Sequence, residues 1–334
     1  MKSVKKLAGL KKVLFVCVVC AAEVFFPSCA SVKKAGTNAI ASMLSGSDKN
    51  GRPLKKKAGD TDIMTVLTGE NDPVLVSEFF PTALKMYELM QAAAPEHAGL
   101  AIMTGSLNVV YANAFVQAPA DRLTDADYDV KRAELQRAKL HYLRGRDYIL
   151  QVFEKRYKGF TDAYLSDDSE RIASYVSRLS VADVAAAYWC AAGSLGAFSL
   201  DPLDADLLGA LQGPVALLER AAALQPDYSD GAIWLVLAAF YAAAPATFGG
   251  DSERALSCYN EAMRVTDGKT VAPYLTYAES FCIPKNDKAG FEEALSKALA
   301  INPDEKPSAR LMTLLNQKRA RYLLENEDAY FFDW

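Results

Sequence analysis

Few side chains in this sequence have both the type and the spacing that catalysis or metal binding requires. Two histidines, His97 and His141, are far apart, and neither has a second metal ligand at helical spacing. The chain contains no H-E-x-x-H, P-loop or G-x-S-x-G motif. Gly249-Gly250-Asp251 is typical of a turn followed by a helix N-cap. We therefore predict no catalytic residue, no metal site and no cofactor, and expect the protein not to be an enzyme.

The cysteines indicate lipid attachment and packing. Lysines followed by the apolar run Val13–Ala22 are typical of an export signal, and that run is too short to span a membrane. Phe26-Pro27-Ser28-Cys29 resembles a relaxed bacterial lipobox. We expect cleavage before Cys29 and attachment of diacylglycerol and a further acyl chain, such as palmitate, to it. Ordinary signal cleavage near residues 30–31 is the alternative.

Three further cysteines remain: Cys190 and Cys258 lie within predicted helices, and Cys282 directly follows one. Their number is odd, so at least one must stay unpaired, and small apolar packing is the expected role of all three. Cys17-x-x-Cys20 would be removed with the signal and implies no redox or metal chemistry. The sequence thus divides into a lipoprotein signal peptide (residues 1–28), a flexible tether (29–60) and one all-helical domain (61–334).

Composition and periodicity predict an all-α fold. The chain has 334 residues and a formal net charge of −4, so a nucleic-acid partner is not expected. Alanine is abundant and strand-like alternation is missing. We predict helices over residues 73–93, 96–117, 127–157, 170–178, 181–200, 213–224, 231–243, 251–265, 270–281, 287–300 and 306–324. The last of these should cap the array with a polar outer face of Gln317, Lys318, Arg319 and Arg321.

Four helix-hairpin units repeat one residue spacing. The clearest reads Trp234-x-x-Leu237-Ala238-x-x-Tyr241 and continues with Ala255-x-x-x-Tyr259-x-x-Ala262, which matches the tetratricopeptide pattern. Trp189 and Tyr274 anchor the neighbouring units, and Gly105 takes the close-approach position in a weaker first unit. The predicted fold is a tetratricopeptide-like helical-hairpin solenoid of about four repeats plus flanking helices. An ordinary helical bundle is the alternative.

Helix offsets predict which side chains face the groove of such a solenoid. They are small or apolar, with Glu279 as the one charge. Two explanations stay open: another helix fills the groove, or the groove forms an apolar cleft or pore for a hydrophobic molecule or acyl chain. The candidate apolar groove residues are Ile102, Val109, Phe198, Leu235, Ala239, Ala242, Leu275 and Ile283.

Several separate stretches over about residues 60–334 carry a family resemblance. They are Asn71-Asp72-Pro73-Val74-Leu75-Val76, Leu84-Lys85-Met86-Tyr87-Glu88, Tyr111-Ala112-x-Ala114-Phe115-Val116, Arg137-Ala138-Lys139, Tyr142-Leu143-Arg144-Gly145-Arg146-Asp147-Tyr148, Tyr188-Trp189, Pro245-x-x-x-Gly249-Gly250-Asp251-x-Glu253-Arg254-Ala255 and Arg319-Ala320-Arg321-Tyr322-Leu323-Leu324. With these residues the chain resembles the T component of tetratricopeptide-associated TRAP transporters, a family of bacterial periplasmic lipoproteins.

That resemblance implies a function. It implies a non-enzymatic accessory protein, lipid-anchored in the periplasm, that partners a periplasmic TRAP substrate-binding protein and forms a homotrimer. The apolar groove would bind or conduct a hydrophobic or amphipathic ligand. One alternative is a tetratricopeptide scaffold lipoprotein for envelope protein assembly or peptide binding; another is a hydrolase with an unfamiliar site.

Overall fold

Helices form most of the described chain, because apolar residues recur at helical spacing and polar side chains cap several of the helix starts. The computed structural model describes residues 30–54 and 63–331, and within them no β-strand is formed. The helices are α1 Ala30–Ser45, α2 Ile63–Thr68, α3 Pro73–Ala93, α4 Ala98–Ala120, α5 Tyr128–Arg156, α6 Phe160–Tyr164, α7 Ser169–Val176, α8 Val184–Leu200, α9 Ala205–Gly209, α10 Gln212–Leu224, α11 Ala232–Ala243, α12 Ser252–Thr266, α13 Val271–Tyr277, α14 Lys288–Ala300 and α15 Arg310–Glu325.

Caps explain why the predicted helix boundaries are close to the observed ones. Asp72 accepts hydrogen bonds from the backbone amides of Val74 and Leu75 at the start of α3. Asp251 does the same for the first amides of α12, so both predicted N-caps are confirmed. His97 is buried and caps α4, with Nδ1 accepting from the Leu100 amide at 3.0 Å. This histidine is therefore a structural cap.

Among the described helices, two carry a π-helical segment that the sequence analysis did not predict. In α4 the segment is Tyr111–Gln117, and α13 continues directly into the segment Ala278–Cys282. A π turn inserts one extra residue and so rotates the side chains that follow it. The helix offsets used to predict the groove assume regular α-helix, so they do not apply across these two segments.

The chain divides into two units, Met1–Ile40 and Ala41–Trp334. Within the second unit, helices that are neighbours in sequence pack as pairs: α4 with α5, α11 with α12, and α13 with α14. Further packing of α8 against α5 and α10 joins the pairs into one array. Buried apolar side chains form a large central cluster and further clusters toward each end of the array.

A close helix contact joins α4 to α5 through two glycines. A Cβ on Gly145 would lie 2.6 Å from the carbonyl oxygen of Gly105, and one on Gly105 would lie 2.7 Å from that of Gly145. Both distances are far inside van der Waals contact, so the two backbones touch directly. Gly105 therefore occupies the close-approach position that the sequence pattern predicted.

Two helices are long and apolar enough to cross a membrane. They are Ala98–Ala120 and Val181–Leu200, among the residues described here. In the protein, 67% and 56% of their apolar windows are buried against other helices. Both therefore serve as core helices of the array.

The segment expected to be a flexible tether is partly ordered. Helix α1 ends at Ser45, and residues 46–54 form a closed turn in which the Leu54 amide donates to the Gly46 carbonyl at 2.9 Å. Ala41 is buried beside Ala94 and Leu100 within the second unit, so apolar burial holds the end of α1 from Ala41 onward against α3 and α4. The signal peptide, Cys29 and Lys55-Lys56-Lys57 lie outside the described residues.

Candidate functional site

One cleft of about 260 Å³ is lined by the end of α4, by α13 with the segment that follows it, and by α15. We call it the terminal cleft. Helix α4 contributes its π-helical segment, α13 contributes one wall together with the π segment that follows it, and α15 contributes the other wall. Its lining residues are Asn113, Ala114, Gln117, Ala118, Asp121, Arg122, Ala272, Leu275, Thr276, Glu279, Met312, Leu315, Asn316 and Arg319.

Both π-helical segments place polar side chains in this cleft. Asn113 and Gln117 come from the segment in α4, and Glu279 comes from the segment after α13. Such local departures from α-helix lower stability, and they occur frequently at functional sites. The terminal cleft differs from ordinary core packing most clearly because two π-helical segments face the same cavity.

Arg319 joins two walls of the terminal cleft through carboxylates. Its Nε donates to Glu279 Oε1 at 2.7 Å, and its Nη1 lies 3.6 Å from Asp121 Oδ2. Burial acts to lower the pKa of the guanidinium, but the nearby Glu279 and Asp121 charges outweigh it and raise that pKa. Arg319 thus stays charged and holds α15 against both α4 and the segment after α13.

The cleft is electrically balanced. Burial raises the pKa of Asp121 despite the lowering effect of Arg319, Lys131 and Arg122. Burial lowers the pKa of Arg122, and the positive charge of Arg319 lowers it further. Two arginines and two carboxylates therefore line the cavity, and each arginine lies close to a carboxylate. A ligand bound here would meet little net charge.

A hydrogen-bonded chain fixes the α4 wall. Asn113 Nδ2 donates to the Tyr142 hydroxyl at 3.1 Å, and that hydroxyl donates to Gln117 Oε1 at 2.7 Å. Burial raises the pKa of Tyr142 well above its usual range, so the hydroxyl remains a neutral donor. The amides of Asn113 and Gln117 are in this way oriented before any ligand arrives.

Apolar side chains complete the cleft. Leu275, Met312 and Leu315 lie among the polar groups, with Ala114, Ala118 and Ala272 beside them. A cavity with apolar walls and a few oriented amides suits a molecule that has both apolar and hydrogen-bonding parts.

Sequence comparison places this chain in a known family. The family model described as "TRAP transporter T-component" matches residues 69–331. The chain belongs to the TRAP transporter T-component family. A relative in Treponema pallidum (strain Nichols), described as an uncharacterized protein, is 40% identical over 280 residues, covering 84% of this chain and 87% of its own length.

The eight predicted groove residues of this T component do not share one cavity among those described. Leu275 lines the terminal cleft and is 5% exposed. Val109 is buried in a helix-packing cluster. The buried core is contacted by Ile102, Phe198 and Ala242. The last cluster is contacted by Ile283. Leu235 is half-buried on α11. Ala239 is also half-buried. That these eight line one passage remains a prediction.

The prediction of a polar outer face on α15, the last helix of the T component, is wrong at two of its four positions. Gln317 is 3% exposed, and its Nε2 donates to the Ile301 carbonyl at 2.7 Å. Arg319 lies in the terminal cleft, whereas Lys318 and Arg321 are exposed as expected. Helix α15 is covered on more than one side, by α14 and by α2 and α3, so a single buried stripe does not describe it.

Sequence reasoning missed Arg319 and Asp121 as cleft residues. A signal for Arg319 was present, because Met312, Leu315, Asn316 and Arg319 recur at helical spacing on one face of α15. No such signal marked Asp121, which reaches the cleft because it follows the π segment of α4.

The aromatic anchors of the T component pack inside the array. Trp189 contacts the central cluster and the first cluster together, and the Trp234 indole donates to the Pro226 carbonyl at 2.8 Å. Tyr274 packs in the last cluster. The cysteines Cys190, Cys258 and Cys282 are buried free thiols, and burial raises the pKa of Cys190 to about 12. Their predicted packing role is confirmed.

Proposed function

We propose that this T component is a non-enzymatic, lipid-anchored periplasmic accessory protein of a TRAP-type solute transporter. It docks the substrate-binding protein and binds an amphipathic ligand in the terminal cleft. Its helix pairs form a tetratricopeptide-like solenoid, and the protein acts as a homotrimer attached to a bacterial membrane through Cys29. Family membership over residues 69–331 supports the transport context.

The observation that carries the ligand proposal is the composition of the terminal cleft. Apolar side chains of Leu275, Met312 and Leu315 face amides that are already oriented by Tyr142. The charges of Arg319 and Glu279 neutralise each other at 2.7 Å. The cleft therefore favours a molecule with an apolar body and a neutral polar group over a strongly charged one.

A polar substitution in the apolar part of the cleft tests this proposal. Leu315→Asn places an amide among the apolar side chains, where it must be desolvated on ligand binding. With the neutral fluorescent probe N-phenyl-1-naphthylamine, we expect the Kd to rise by about fivefold or more. The matched control is Leu203→Asn, because Leu203 is 90% exposed and lies outside the cleft. Equal Kd values for wild type and Leu315→Asn, or no binding by wild type, would contradict ligand binding at this site.

Co-purification separates the transport context from the ligand site. Full-length protein isolated from membranes should retain a TRAP substrate-binding protein, and a Cys29→Ser variant should leave the membrane fraction because a single stable anchor is lost. Sedimentation velocity of the complex reports the trimer. Recovery of envelope-assembly proteins without a substrate-binding protein would instead support the scaffold alternative.

A further inference from the structure

A second cavity, of about 400 Å³, lies where residues 46–54 meet three other parts of the domain. These are the junction of α3 and α4, the last turns of α5, and the 3-10 turn Val181–Asp183. We call it the turn pocket, and it shares no residue with the terminal cleft. Its lining residues are Lys49, Asn50, Arg52, Gln91, Pro95, Glu96, Ala98, Ala101, Gln151, Val152, Lys155, Arg156, Tyr157, Ser180, Ala182 and Asp183.

Hydrogen bonds hold the turn that forms one wall of this pocket. Asp48 Oδ1 accepts from the backbone amides of Asn50 and Arg52, both at 2.9 Å. The Lys49 carbonyl accepts from the Ala98 amide at 2.9 Å and so ties the turn to the start of α4. Gly51 has φ +79, and a Cβ there would meet the Arg156 guanidinium. Lys49 and Arg52 are therefore carried on a fixed backbone.

The pocket has an excess of positive charge. Four cationic side chains line it against two anionic ones. Asp183 pairs with Arg156 at 2.6 Å and also accepts from the Ser180 hydroxyl at 2.9 Å, while Glu96 pairs with Lys155 at 3.0 Å. Both carboxylates are thus already engaged.

Lys49 and Arg52 remain without an ion pair among the described residues. Both side chains are exposed at the pocket and carry their positive charge into it. Asp48, on the same turn, uses its carboxylate for the turn's own amides. An anion that enters the pocket would therefore find two available cationic partners.

An unpartnered acceptor lies in the same pocket. Gln91 is only 7% exposed, and its Oε1 atom is buried without any hydrogen-bond donor in the described part of the chain. A buried carbonyl oxygen without a donor destabilises the folded protein. A hydroxyl or amine on a bound molecule would supply the missing donor once the amide group turns its oxygen toward the cavity. Gln91 thus points to a donor group on the ligand, independently of the charges.

We propose that the turn pocket is a second ligand site, which takes a compact anion carrying at least one hydroxyl group. The anionic group binds between Lys49 and Arg52, and the hydroxyl donates to Gln91 Oε1 once the amide group rotates this oxygen toward the cavity. The volume of about 400 Å³ suits a small molecule and not a folded partner. The anionic group can be a phosphate or a carboxylate, since both pair with lysine and arginine. This site lies outside the proposed transport cleft.

Calorimetric titration of the full chain with two matched pairs of anions tests the proposal. The phosphate pair is glycerol 3-phosphate, which has hydroxyl groups, and propyl phosphate, which has none. The carboxylate pair is gluconate, which has hydroxyl groups, and hexanoate, which has none. We expect at least one hydroxylated anion to bind about tenfold more tightly than its partner without hydroxyls. The pair that shows this preference identifies the anionic group.

Variants assign the binding to the pocket. Lys49→Ala combined with Arg52→Ala should weaken binding by about tenfold or more. Lys318→Ala combined with Arg321→Ala removes the same charge from the exposed face of α15 and should leave the Kd within about twofold. Gln91→Met should abolish the preference for the hydroxylated anion.

Three results would overturn the proposal. The first is that wild type binds none of the four anions at about 10 mM, which corresponds to negligible affinity. The second is that the double variant at Lys49 and Arg52 binds as tightly as wild type. The third is that wild type binds both members of each pair equally, an outcome that does not depend on whether Gln91→Met folds. Loss of probe binding in the terminal cleft would have no bearing on any of these results.

Discussion

At the scale of single residues, His141 shows how burial alters chemistry without creating a site. Its Nδ1 lies 3.0 Å from Asn108 Oδ1, and its ring packs edge-on against Tyr111 at 4.9 Å between centroids. Burial, followed by the charges of Arg144 and Arg137, lowers its pKa from 6.5 to about 4. The imidazole is therefore neutral in the folded protein at neutral pH, and it joins α4 to α5 as a hydrogen-bonded packing residue.

This depressed pKa predicts a pH dependence of stability. Between pH 6.5 and about 4 the unfolded chain binds a proton at His141 that the folded chain does not. The free energy of unfolding must therefore fall as the pH is lowered through this window, by about 1–2 kcal/mol once the half-exposed side chain is allowed for. His141→Gln should reduce that slope in urea unfolding measured from pH 7 to pH 4. An unchanged slope would contradict the assignment.

At the scale of elements, the contact of α4 with α5 depends on the absence of side chains. Gly105 and Gly145 bring the two backbones together, and this contact supports the α4 wall of the terminal cleft through Tyr142. The π-helical segment of α4 follows directly after this contact. A rigid crossing beside an irregular segment limits how far that wall can shift.

Gly145→Ala should destabilise the protein. The new methyl group would lie 2.6 Å from the Gly105 carbonyl oxygen and 2.8 Å from Val109 Cγ2, so the helices must separate, at a cost of about 2 kcal/mol. Chemical unfolding monitored by circular dichroism measures the change. Gly209→Ala is the control, because a Cβ at Gly209 meets nothing within 4 Å and alanine favours helix by up to about 1 kcal/mol. Equal stability of the two variants would refute the close-contact account.

At the scale of the whole domain from Ala41 onward, α15 links parts of the chain that are far apart in sequence. Leu311 is buried with Val76 and Phe80 of α3, whereas Ala320 and Leu323 pack with α13 and α14. Arg310 Nη1 also donates to the Gly69 carbonyl at 3.0 Å. The terminal cleft exists because this one helix contacts both ends of the array.

Leu311→Ala should therefore loosen distant segments together. Truncating this 5% exposed side chain costs about 2–4 kcal/mol, and the loss should appear as faster amide exchange in α3 as well as in α15. Leu256→Ala on α12, where the side chain is 46% exposed, serves as the control and should change exchange in neither helix. Faster exchange confined to α15 would show that the helix does not couple the two ends.

Local sequence signals predicted the helices well, because caps and apolar spacing act within a few residues. Asp72 and Asp251 marked helix starts correctly, and the small residue Gly105 marked a close helix crossing. The interpretation of residues 29–60 as a tether did not indicate that Ala41 is buried, because that burial depends on a surface formed by α3 and α4. Composition alone cannot report such a surface.

The sequence by itself determined that this protein is helical, that its helices pair with their neighbours, and that its family is recognisable. Only the tertiary structure decided where a ligand could bind. The terminal cleft joins Asp121, Glu279 and Arg319, and the turn pocket joins Lys49 to Gln91 and Arg156. The physical reason is that π turns rotate side chains away from regular offsets, and long-range packing of α15 and of residues 46–54 brings distant charges together.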